Sequence, residues 1–145
     1  MLSKQVSVFL ENKSGRLAEV CQTLGGHDIN IRALCIADTS DFGILRLIVD
    51  DPEAAVQVLQ GEGFSVGSTG VLALRIPDRP GGLGEVLEHL QSEDINVEYM
   101  YAFFITIAGD AVVLFKVDDS VLDKTLGVLD EAGITVIPAE QVYEL

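Results

Sequence analysis

Asp28-Ile29-Asn30-Ile31 returns later in the chain as Asp94-Ile95-Asn96-Val97, and Gly15-Arg16-Leu17 returns as Gly81-Gly82-Leu83. Both repeats run over the same distance of 66 residues, from 28 to 94 and from 15 to 81. Two separated motifs that share one offset mark a duplicated unit rather than a chance echo. Two copies of a small fold can also build a site that neither has alone. The 145 residues thus divide into units of about seventy, near the lower limit for an independent hydrophobic core. We read them as residues 1–68 and 69–145, and expect the two to share an apolar face.

Around these motifs each copy shows the same order. Lys4–Leu10 alternates as a strand, Asn12-Lys13-Ser14-Gly15 is a turn, and Leu17, Val20, Cys21 and Leu24 recur at helical spacing up to Gly25-Gly26. Strands are expected over Asn30–Ala37 and Ile44–Val49, around a polar turn at Asp38–Gly43. Asp50-Asp51-Pro52 starts a second helix with an acidic cap and an early proline, and Phe64–Val66 begins a fourth strand. The second copy gives Val71–Ile76, the turn Asp78-Arg79-Pro80-Gly81, a helix through Leu83 and Leu90, and strands over Asn96–Ile107 and Ala111–Val117. An Asp118-Asp119-capped helix and a last strand over Ile134–Ile137 follow. From helix to helix the offset grows to 68 (50 to 118), so two residues are expected in the loop before Ala111. Gly67-Ser68-Thr69-Gly70 reads as a short linker. The fold class is α+β: two tandem ferredoxin-like βαββαβ units, each an antiparallel four-stranded sheet with both helices on one face.

Composition narrows the partners. Nine basic residues stand against 23 acidic ones, a formal charge of −14. Such a surface repels phosphate backbones and anionic lipid, so no nucleic acid and no membrane is expected as a partner. No signal sequence is visible. The longest apolar run, Tyr99–Ala108, is about half of a bilayer span. Cys21 and Cys35 lack CxxC spacing and read as buried thiols of a cytoplasmic protein.

The turn that opens the first helix of each copy carries the most chemistry. A helix start offers unpaired N–H groups and a positive dipole end. At Gly15 and Gly81 there is no side chain to keep a carboxylate away from them. Asn12 or Asp78 can take an ammonium group. An α-amino acid presents both charges. On local features alone these are equally ordinary capped turns, since Asn, Ser and Asp are common N-caps and Pro80 is ordinary in a first helical turn.

The turn N/D-x-x-G-x-L, a helix, then D-I-N-I/V entering the second strand of a βαββαβ unit, resembles the ACT domain. The resemblance covers nearly the whole chain as two copies. It implies a regulatory module that binds a small ligand, most often an amino acid, where paired domains meet. The ligand-binding residues it implies are Asn12, Ser14, Gly15, Arg16 and Leu17 in one turn and Asp78, Pro80, Gly81, Gly82 and Leu83 in the other, with Asn30 and Asn96 entering the second strands. The turn of one copy is expected to work with the Asn of the facing copy, Asn12 and Gly15 with Asn96, Asp78 and Gly81 with Asn30. Ser14 stands where the family usually has Pro, which makes the first turn the looser one. Leu10 and Ile76 stand where some members carry a polar residue.

Nothing else in the sequence competes strongly. Gly81-Gly82-Leu83-Gly84 lacks the Lys and Ser/Thr of a phosphate loop. His27 and His89 have no nucleophile or carboxylate that the repeat would bring to them, and no metal-ligand spacing occurs. We therefore expect no catalysis, no cofactor and no metal. The aromatic strand with Tyr99, Met100, Tyr101, Phe103 and Phe104 suits a core or subunit interface, or the wall of an apolar pocket beside Asn96. The leading expectation is a homodimeric amino-acid-binding regulatory protein acting on a partner enzyme. The alternative is a ligand-free regulatory or structural subunit that uses the fold only to associate.

Overall fold

The computed structural model describes residues 2–38 and 41–145, apart from the side chains of residues 38, 104 and 105. The turn expected over Asp38–Gly43 lies partly outside the described residues, at Thr39 and Ser40, and so does the side chain of Phe104. The chain divides into two compact units, Lys4–Gly70 with Val142–Leu145, and Val71–Gln141 with the first residues of the chain. The termini are thus exchanged: Leu2 packs on the core of the second unit, and the Tyr143 hydroxyl accepts from the Lys4 amide of the first at 2.8 Å.

The first unit comprises β1 (Ser3–Glu11), α1 (Arg16–Gly26), β2 (Ile31–Asp38), β3 (Phe42–Val49) and α2 (Pro52–Gly61), and ends in the first half of β4 (Ser65–Pro77). β3 lies between β2 and β1, antiparallel to both, with Leu47 opposite Val6 on one side and Leu34 on the other. Alternation sends Val6, Val8, Leu10, Leu45, Leu47 and Val49 to one face. There they pack with Val20 and Leu24 of α1 and Ala55 and Leu59 of α2. Asp51 caps α2 by accepting from the Ala54 amide at 3.1 Å, with Pro52 in the first turn, as expected.

The second unit contains the rest of β4, α3 (Gly82–Ser92), β5 (Tyr99–Ile107), β6 (Asp110–Lys116), a 3-10 turn (Asp119–Val121), α4 (Leu122–Glu131) and the start of the short α5 (Ala139–Tyr143), whose last residues belong to the first unit. β6 pairs antiparallel with β4 and β5. Leu72, Leu74, Ile76, Val113 and Phe115 face Val86, Leu90 and Leu129 of the helices.

Several details differ from the sequence reading. The segment Gly67–Gly70, after which the two units divide, is not a loop: it lies inside the continuous strand β4, whose ladder bonds require only main-chain atoms. β5 starts at Tyr99, so Asn96 precedes the strand rather than opening it. The two additional residues sit within β5, not in the loop before Ala111. Ala102 opposes Val113, yet Thr106 already opposes Ala111, so three residues of β5 face one of β6. The closing strand over Ile134–Ile137 shrinks to a bridge between Leu74 and Val136. It is fastened by the Arg75 amide to the Thr135 carbonyl and the Ile137 amide to the Ala73 carbonyl. Pro138, without an N–H, ends it and α5 follows.

Candidate functional site

The Asp-Ile half of the repeated motif has a structural cause. Asp28 and Asp94 adopt left-handed backbone, φ 58° and 57°, just past α1 and α3. The next amide donates back to the helix, Ile29 to Leu24 at 3.0 Å and Ile95 to Leu90 at 2.9 Å. This is a Schellman-type helix end, and Ile29 and Ile95 are its buried apolar contacts. α1 ends at Gly26, as expected, and the chain turns away at Asp28. The Asn half then emerges exposed in both copies. Asn30 is pinned through its main chain: its amide donates to the Asp50 carboxylate at 3.0 Å and its carbonyl accepts from the Asp50 amide at 3.1 Å. The counterpart of Asp50 in the second copy, Asp118, instead accepts from the Ser120 amide at 2.9 Å. Hydrogen bonding from the Ser120 hydroxyl, and after it from this amide, holds the Asp118 carboxyl below its ordinary range.

At the other end of each helix the N-cap is glycine, not Asn, Ser or Asp. Gly15 and Gly81 have φ 91° and 82°, and no side chain caps either helix. Left-handed backbone explains the glycine at this position, and the missing cap leaves amides of the first helical turn without intrahelical partners. Asn12, Ser14, Gly15 and Leu17 are exposed, as are Asp78, Pro80, Gly81 and Leu83. The Asn12 amide donates to the Asp41 carbonyl at 2.9 Å, tying the turn to the β2–β3 connection. Within the turn the closing bond is 3.4 Å from Arg16 to Lys13 in the first copy and 2.9 Å from Gly82 to Arg79 in the second. The turn with Ser14 is the looser one.

Four residues serve the packing. Arg16 turns away from its turn: its guanidinium lies 4.9 Å from the centre of the Phe64 ring and pairs with Glu19 at 2.7 Å. Gly82 is buried, and a Cβ there would collide with the Pro77 carbonyl. Leu10 and Ile76 point into the two cores.

The turn and the Asn of one copy stand at opposite ends of the same 11-residue helix, about 15 Å apart at 1.5 Å per residue. No small ligand spans that distance, so the turn and the Asn of one copy do not share a small-ligand site. Asn96 itself lines a hollow of about 400 Å³ with Leu87, Gln91 and Val97. Cys21 and Cys35 are free and half-buried, less buried than expected. Burial raises the Cys35 pKa, partly offset by Arg46. Among the described residues no cluster of His, Cys, Asp and Glu could hold a metal, and no helix is long and apolar enough to cross a membrane.

The model of the ACT domain pair family matches residues 1–144, and the chain belongs to that family. The crystal structure of protein BT0572 from Bacteroides thetaiotaomicron is 43% identical, with a TM-score of 0.92 over 100% of this chain and 98% of that one. The ligand-free regulatory subunit of aspartate kinase from Thermus thermophilus has a TM-score of 0.64 at 14% identity, covering 90% of this chain and 93% of that one. That of Thermus flavus has 0.62 at 13%, covering 92% and 94%. At these identities the two subunits share the fold alone. No curated protein matches the chain.

Proposed function

We propose that this ACT domain pair is a non-catalytic, cytoplasmic regulatory protein that binds a small molecule, an amino acid, and passes its occupancy to a partner enzyme. The observation that carries the reading is the pair of glycine-capped, side-chain-free helix starts at Gly15 and Gly81. Each offers main-chain N–H groups and a dipole end to a carboxylate. Asn30 and Asn96, exposed and carrying both donors and acceptors, complete the sites from the facing copy, Asn12 and Gly15 with Asn96, Asp78 and Gly81 with Asn30. The homodimer is the assembly we assign to it. The fold shared with aspartate kinase regulatory subunits supports a regulatory role and leaves the ligand open.

One observation favours association without ligand as the second reading. Phe9 and Phe42 are 53% and 59% exposed, on the face of the first sheet that carries no helices. Calorimetric titration with each common amino acid separates the two readings. A saturable heat identifies the sensor, and its absence for every amino acid, with association retained, identifies the ligand-free subunit.

A further inference from the structure

Each copy has a groove between its first helix and the segment that follows its second helix, and the two copies treat it differently. In the first, the end of the groove next to the turn is closed by Arg16 laid over Phe64. The hollow that remains lies further along α1, at Gln22, Thr23 and His27. In the second copy Gly82 stands in place of Arg16. Ile134 stands in place of Phe64, since Gly133-Ile134 repeats Gly63-Phe64. Both fillers are gone, and a cavity of about 220 Å³ opens at that end.

Its walls are charged. Arg75, Asp110, Glu85 and His89 line it, over a floor that includes Val86 and Ile134. Two ion pairs border it, Arg75–Asp110 at 3.0 Å and Arg79–Glu85 at 2.7 Å. Each has one member exchangeable for a ligand charge of the same sign. The volume lies below the roughly 300–1,000 Å³ of sites for drug-sized molecules, so the occupant is small. A chain of net charge −14 disfavours a free anion, whereas a zwitterion adds no net charge and meets both signs on the wall.

We infer that this cavity binds a small zwitterion of amino-acid size, its carboxylate held by Arg75 and its ammonium by Glu85. The site belongs to the second unit alone and includes neither Asn30 nor Asn96. The inference rests on the reading of the chain as an amino-acid binder, and places a further site beside those at the turns.

The test is amide-resolved NMR titration of the full chain with each common amino acid at millimolar concentration. Wild type is compared with Ile134→Phe, which restores the first copy's filler, and with Glu85→Gln, an exposed change that leaves the core intact. Shifts centred on His89 and Gly133 are expected with at least one amino acid. They should vanish in Ile134→Phe, weaken roughly ten- to a hundredfold in Glu85→Gln with loss of a charge-assisted bond, and persist in Asn30→Ala and Asn96→Ala. Binding that survives both cavity variants but is lost in the Asn variants overturns the cavity and keeps the turn sites. Absence of shifts with any amino acid overturns both.

Discussion

Arg75 and Asp110 form an ion pair at 3.0 Å at the two positions that hold Phe9 and Phe42 in the first copy. The register makes the correspondence: Glu11 opposes Phe42 as Pro77 opposes Asp110. Duplication has thus given one copy an exposed aromatic pair and the other a charged one. The side chains of Arg75 and Asp110 are 31% and 34% exposed, so solvent screens much of their attraction. Replacing either by Ala should lower stability by about 0.2–1 kcal/mol. The double variant should lose less than the sum of the two. A double-mutant cycle in urea, repeated at high salt where the coupling should shrink, measures it. Strict additivity at low salt would mean that the pair contributes nothing.

The three glycines at the start of α3 should respond in three ways. Gly81→Ala forces a side chain into φ 82° and should cost about 1–2 kcal/mol. Gly82→Ala meets the Pro77 carbonyl and should cost more. Gly84 has open space around it and sits in helical backbone, so Gly84→Ala should stabilise by about 0.5–1 kcal/mol. Thermal unfolding of the three variants ranks them. A stabilising Gly82→Ala would show that the close approach to Pro77 does not exist.

The left-handed aspartates make a further prediction. Asp94→Gly relieves the strain at φ 57° and should raise stability by up to about 1 kcal/mol, while Asp94→Val should lower it by about 1–2 kcal/mol. If both substitutions destabilise equally, the aspartate side chain rather than the backbone ends the helix.

Much of this was legible in the sequence because its physics is local. Glycine before a helix, an aspartate and an isoleucine after it, and Asp-Pro at the next helix start each satisfy backbone groups within a few residues. The cap departs from the local rule: Asn12 and Ser14 are common caps, but the backbone enters α1 at a conformation that suits Gly15. What depended on distant partners stayed hidden. Offsets reveal that two residues were added before β6 but not that β5 absorbs them between Ala102 and Thr106. The packing of Arg16 over Phe64 stayed hidden because the two lie far apart along the chain. Gly67–Gly70 gave no sign of a strand because one bonded through its main chain tolerates small residues.

Acid should act on Asp118. Its carboxyl sits below the ordinary value of 3.8 because it accepts from Ser120. A depressed folded-state pKa contributes stability that is present above the unfolded value and lost as pH falls through the folded one. Asp118→Asn should therefore flatten the part of the stability profile below about pH 4 and leave the neutral plateau's shape unchanged. An identical acid limb in wild type and variant would remove Asp118 from the account.

The proposed regulator binds an amino acid where a bare helix start of one copy meets the asparagine of another. Thermal unfolding with each common amino acid, on the wild-type sequence and on the Asn30→Ala/Asn96→Ala double variant, both carrying Ile134→Phe to close the cavity of the second unit, tests this most directly. At a hundred times its dissociation constant, one amino acid should stabilise the chain with both asparagines by about 2.7 kcal/mol and the double variant by far less. Equal stabilisation of both proteins, or none of the chain with both asparagines by any amino acid, would contradict binding there.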